Sequence, residues 1–402
     1  VVVAGSLYFL TNIFDSVSSV QFEESDIIQY VPFILKFDSS NQGIVGQFSE
    51  FPFEMPKYSN CFLVKYNLLS DLYVFKSEQL VSEYINMISK TSTDIKITKS
   101  WLNGFQVFQV KFQIKAGFTY YVTGWRDYIF VSNNPDALKT LFDRIVQGLR
   151  VTDQNLPTTL FSDDYKNIGF VNSQGQDIFE KYLTIPFINF NYPLTFYPSD
   201  AVIDIYTGTS KVSAANNLQI FDFNETLFEI ASNDSDNLKQ LLQNNFLSVL
   251  SKTNNMPLDK VFAENLPFSE LALFNNNMLG LVLYSESANS LLANLQNDFK
   301  NSTEIYKGVL ILRIGTGGKN LYVATYKNLI LLFEDRQEIL DILDGKIDTK
   351  TCMCNLYLKF NKGFNNVASI YNVPKIISPF EDFSVSVAYE DSMTKIKINK
   401  EK

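Results

Sequence analysis

No histidine occurs among the 402 residues of this chain. That excludes Ser-His-Asp and Cys-His catalysis and any metal site that uses imidazole, because histidine supplies the base or the ligand in each. Carboxylate-only or lysine-based chemistry stays open. Cysteine is scarce. Cys61, Cys352 and Cys354 are an odd set, so no complete disulfide framework can form. Basic residues number 34 against 43 acidic ones, and the net charge is −9. There is no basic cluster, which argues against nucleic acid and against an anionic membrane surface as partners. Glycine (17) and proline (12) are modest. No cofactor motif is present: Gly315-Thr316-Gly317-Gly318 lacks the Lys-Ser/Thr of a phosphate loop and sits between two strands, so it reads as a hairpin turn.

What the chain has in quantity is aromatic side chains, 35 Phe and 21 Tyr, in a composition 46% apolar and 19% charged. This is a globular composition that favours strands with aromatic packing. The organising stretch is Thr119 to Val146. It reads as a strand, a turn near Arg126-Asp127, the strand Tyr128-Ile129-Phe130-Val131, and a helix capped by Asn134 with Pro135 at its first position. The pattern returns without a gap at Asn320 to Ile347, where a helix opens at Asp335. Leu138, Leu141 and Phe142 lie over Ile339, Ile342 and Leu343, which predicts one supersecondary unit used twice.

Strands come in hairpin runs rather than alternating strictly with helices. The expected fold is therefore α+β, in two tandem similar lobes, each a mostly antiparallel sheet with helices packed on one side. The first lobe is expected at 48–223. It includes a helix after Ser77 with the stripe Leu80, Val81, Tyr84, Ile85 and Ile88, and it closes with Ala201–Tyr206 paired to Leu218–Phe223. A helical linker is expected at 224–265 and the second lobe at 266–402. Residues 15–47 read as an irregular lead-in. Residues 1–14 are uncharged and mostly apolar but shorter than the roughly 20 residues that span a bilayer. They read as the tail of a membrane anchor or signal segment, or else as a buried strand or core helix. The anchor reading places the rest outside the cytoplasm, in the periplasm or on the cell surface.

The segment most suited to partner contact is the loop-like Phe187 to Pro198, with Phe187, Phe190, Tyr192, Phe196 and Tyr197 as candidate contact residues. The competing reading folds that loop onto its own lobe. Cys352 and Cys354 share a strand face and are either a redox pair or half a soft-metal site, or simply two small buried residues. Asn233-Asp234-Ser235-Asp236-Asn237 breaks the EF-hand pattern at Leu238 and reads better as a helix start than as a calcium loop. Asp163-Asp164 and Glu23-Glu24 with Asp26 are the closest acidic clusters, and both suit solvated loops. Asn224-Glu225-Thr226, Asn233-Asp234-Ser235 and Asn301-Ser302-Thr303 match the glycosylation acceptor pattern. No metal or cofactor residue is assigned.

Tyr128 to Leu141, a strand running into Asn-Pro-Asp-Ala-Leu, and its echo at Leu329 to Ile342 resemble uncharacterised bacterial membrane-anchored envelope proteins of unknown function. The resemblance spans most of residues 48–400 and implies an extracytoplasmic location without a known activity. The expected function is a non-enzymatic, membrane-anchored interaction or assembly subunit of the cell envelope, with protein partners there. The alternative is a carrier or sensor of an apolar ligand such as a lipid, which requires a continuous apolar cavity.

Overall fold

Short apolar runs bounded by turn residues become strands throughout, and nearly every strand pairs antiparallel with its neighbours. The structure is a computed structural model. It describes residues 24, 31–49, 51–91, 94–113, 118–147, 156–208, 217–222, 226–249, 252, 269–275, 279–298, 301–316, 319–345, 348–390 and 393–401. The expected anchor at 1–14 lies outside them, as do Glu23, Asp26, Gly317 and Gly318. Among the described residues no helix is long and apolar enough to cross a membrane. The chain divides into two units, Val1–Tyr182 with Phe190–Asp200, and Leu183–Asn189 with Ala201–Lys402.

The first unit contains β1 (Phe33–Asp38), β2 (Asn60–Asn67), β3 (Ser70–Lys76), β4 (Ile95–Leu102), β5 (Phe105–Phe112), β6 (Thr119–Trp125), β7 (Tyr128–Ser132), β8 (Ile168–Val171) and β9 (Leu194–Pro198). Their spatial order is β9-β8-β1-β2-β3-β7-β6-β5-β4. Asn103 and Gly104, both with positive φ, make the β4–β5 turn, and a two-residue turn of that kind matches the twist of the strands it joins.

In the second unit the strands are β10 (Val202–Gly208), β11 (Asn217–Asp222), β12 (Thr226–Ser232), β13 (Glu270–Asn275), β14 (Leu279–Tyr284), β15 (Asn301–Tyr306), β16 (Val309–Thr316), β17 (Lys319–Tyr326), β18 (Leu329–Phe333), β19 (Asp348–Met353), β20 (Leu356–Phe360), β21 (Phe383–Glu390) and β22 (Met393–Lys400). The main sheet runs β10-β22-β21-β20-β12-β13-β14-β18-β17-β16-β15. β11 and β19 form a separate two-stranded ribbon.

Several expectations are corrected here. Helices cover both faces of the first sheet, not one. Phe142 of the Pro135–Gln147 helix packs on Phe130, while Val81 of the Val81–Thr91 helix abuts Gly124 on the opposite face. The reason is visible in β7 and β18, which are buried along their whole length and so need cover on both sides. Leu80 lies just before its helix and is 63% exposed, so the buried stripe reduces to Tyr84, Ile85 and Ile88. The lead-in 15–47 contains β1, a fully covered inner strand. The expected linker contains β12, another inner strand. β10 and β11 do not pair with one another: β10 joins β22 and β11 joins β19.

Candidate functional site

Phe187 to Pro198 ends in a strand, β9, and its aromatics divide between the units. Phe187, with φ +72° and 38% exposed, rests on Phe228 of the second unit. Phe196 is fully buried in the first unit, against Phe33, Phe48 and Phe179. Phe190 and Tyr192 both meet Phe179 edge-on, and the Tyr197 ring lies tilted at 5.3 Å from that of Tyr165. Phe196 is thus a core residue, which removes it from the contact set. Phe190, Tyr192 and Tyr197 are half-buried, and Phe187 is the most open of the five.

The acidic clusters seen in the sequence stay apart from one another. Asp164 accepts a hydrogen bond from Ser162 Oγ at 3.0 Å, and Glu24 lies 3.6 Å from Lys76 Nζ. Asn233 to Asn237 opens the Ser235–Leu241 helix, with Leu238 N–H donating to Asp234 O. Among the described residues, no three metal-ligating side chains gather. A cleft of about 550 Å³ in the first unit is bordered by charges of both signs, Lys57, Lys76, Glu78, Glu83 and Asp127.

The structure brings together one constellation that no local pattern announces. Glu229 on β12 and Glu270 on β13 are 0% and 3% exposed. Glu229 stands opposite Ala272 and Glu270 opposite Ala231, so the two acids are diagonal neighbours on one face of the sheet. Glu270 Oε2 is buried without a hydrogen-bond partner, so the two carboxyls interact chiefly through their charges. Phe221 N–H, from β11, donates to Glu270 Oε1 at 2.8 Å. Burial first, and the Glu229 carboxyl second, push the Glu270 carboxyl well above the ordinary carboxylate range. The opposing influences are the Phe221 N–H and the Lys350 ammonium on β19. Lys359 stands directly across β12–β20 from Glu229, and Tyr284 across β13–β14 from Glu270. Lys350 Nζ lies 5.1 Å from the ring centre of Tyr357, which is itself buried.

The β11–β19 ribbon covers this pair. Its apolar underside, Leu218 and Ile220, packs with Ala231, Tyr357 and Cys354. At its end Cys352 is bonded to Cys354, with Met353 between them 76% exposed. Cys61 is free and buried. The cysteine pair is therefore a disulfide, not two separate small residues. The signal for the acid pair was faint: a single Glu inside the apolar run Phe228-Glu229-Ile230-Ala231, and another opening Glu270-Leu271-Ala272-Leu273. Only the β12–β13 register joins them.

No family model matches the chain, and no curated protein matches it. Two solved structures of TP0453 align with it at 10% identity. Crystal form I has a TM-score of 0.26 and covers 74% of this chain and 93% of that one. Crystal form IV has a TM-score of 0.25 and covers 82% and 99%. Likeness at that level carries no argument about fold or function.

Proposed function

We propose that the protein is a non-enzymatic, extracytoplasmic interaction or assembly subunit, built from two copies of one α+β unit and held to a membrane through its N-terminal segment. The observation that carries this reading is the correspondence between the units. The order β8-β1-β2-β3-β7-β6-β5-β4 has its counterpart in β20-β12-β13-β14-β18-β17-β16-β15. Hydrogen bonds correspond too. Ser77 N–H donates to Asp127 O at 2.7 Å, and Ser285 N–H to Asn328 O at 2.9 Å. Asn172 N–H donates to Pro32 O and Asn361 N–H to Leu227 O, each at 3.0 Å. Such agreement in irregular links supports duplication of a whole unit. The Cys352–Cys354 bond accords with an oxidising, extracytoplasmic compartment. Phe187 is the contact residue of choice, being aromatic and open.

The test is purification of the native protein from its own membranes in mild detergent, followed by sizing and mass spectrometry. Partners co-migrating at fixed stoichiometry, and lost on Phe187→Ala, support the proposal. A lone protein carrying extracted lipid moves the reading to an apolar carrier. Recovery of the full chain in the cytoplasmic fraction overturns both.

A further inference from the structure

We propose that the β11–β19 ribbon is a pH-released flap, closed while one of Glu229 and Glu270 holds a proton and lifted when both carboxyls are ionised. The geometry carries the argument. Two carboxyls lie as diagonal neighbours on one sheet face beneath the ribbon, essentially without solvent. One of them is tied to the ribbon backbone through Phe221 N–H. The ribbon's strands pair with each other and, among the described residues, with no strand of the main sheet. It can therefore lift as a unit with its own ladder intact.

The charge balance sets the direction. With one proton bound, the pair carries a single negative charge, with Lys350 on the ribbon and Lys359 on β20 as the neighbouring cations. Losing that proton to water leaves two like charges side by side in a dry site, which is the costly arrangement. Ionisation also strengthens the Phe221 hydrogen bond and the pull of Lys350. Both effects rank below burial and the Glu229 charge at Glu270, so the closed state loses. Lifting the ribbon admits water to both carboxylates. Glu270 has its pKa raised in the closed state, so closure is fully present at low pH and is lost as pH rises through that raised value. Tyr357, opposite Ala231, and Tyr284, opposite Glu270, are further titratable groups on that face.

The experiment is cleavage after Lys350, within β19, by a lysine-specific endoprotease on the full chain between pH 5 and 9.5. Wild type is compared with Glu270→Gln and Glu229→Gln at each pH, so that the protease's own pH profile and lysine titration cancel. Glutamine mimics the protonated carboxyl. Equal cleavage rates are expected at low pH, with the wild-type rate then pulling ahead of both variants by up to about tenfold per pH unit, the limit for release of one proton. A wild-type-to-variant ratio that stays constant across the range overturns the proposal. Failure of both glutamine variants to fold overturns it equally, because one acid beside an uncharged partner is the charge state of the closed pair. If only one variant folds, its ratio decides.

Discussion

Lys65 Nζ lies 2.7 Å from Asp71 Oδ1, directly across the β2–β3 hairpin, and the lysine is 2% exposed. The two strands put opposite charges in one register position, and Tyr182 covers the ammonium at 5.4 Å from its ring centre. Removing only the acid strands a buried charge. Asp71→Ala is expected to cost about 3 kcal/mol in urea unfolding, whereas the double change Lys65→Met with Asp71→Leu is expected to be near neutral, since a buried pair contributes little net stability over apolar packing. A double variant as unstable as the single one would show that the pair does more than neutralise itself.

Gly169 on β8 faces the ring of Phe196, and a Cβ at that position would lie 2.0 Å from the ring. Phe196 is held by Phe33, Phe48 and Phe179 and cannot swing away. Gly169→Ala is expected to destabilise the first unit by about 1–3 kcal/mol through overpacking. Adding Phe196→Leu should recover part of that loss, so the two changes are non-additive in denaturant titration. Phe196→Ala alone should cost about 3–5 kcal/mol and act on stability, not selectively on partner capture.

The elements legible from sequence are those whose signals are local. The Asn134 and Asp335 caps, the turns at Arg126-Asp127 and Lys327-Asn328, and the strands Phe383–Glu390 and Met393–Lys400 all follow from residues within a few positions of one another. What escaped was long-range. β10 reads as a strand, but its partner β22 lies at the far end of the chain, with Val202 opposite Asn399. β12 hides in a stretch that also carries a helix start, and with it hides Glu229. The acid pair needs a register, which composition does not encode. Phe187 and Phe196 look alike in sequence, yet one rests half-open on Phe228 and the other fills a core, because β9 turns the second inward.

The two helix caps offer a direct comparison between the units. Asp335 Oδ1 accepts from Gln337 N–H at 2.9 Å, and Asn134 Oδ1 accepts from Asp136 N–H at 3.0 Å. Either cap replaced by alanine should cost about 1 kcal/mol. Asn134 also donates to Ser70 Oγ at 2.8 Å, so Asn134→Ala should cost more than Asp335→Ala. Calorimetry of the two variants should show the larger drop in Tm for Asn134→Ala. An equal drop would mean that the bond to Ser70 contributes nothing.

The Cys352–Cys354 bond spans a sequence separation of two, so it closes a very short loop. Chain-entropy reasoning gives such a loop only about 1.5 kcal/mol of stabilisation, because the unfolded chain loses little freedom when so few residues are joined. Reducing the bond in the native protein should therefore lower stability modestly, by an amount visible as a small shift in the urea midpoint with an unchanged slope. The ribbon should stay closed, since Leu218 and Ile220 keep their cover of Tyr357 and Ala231 without the sulfur link. Cleavage after Lys350 should then be similar in oxidised and reduced protein at low pH. A large rise on reduction would make the disulfide, rather than the apolar underside and the Glu270 tie to Phe221, the element that holds the ribbon down.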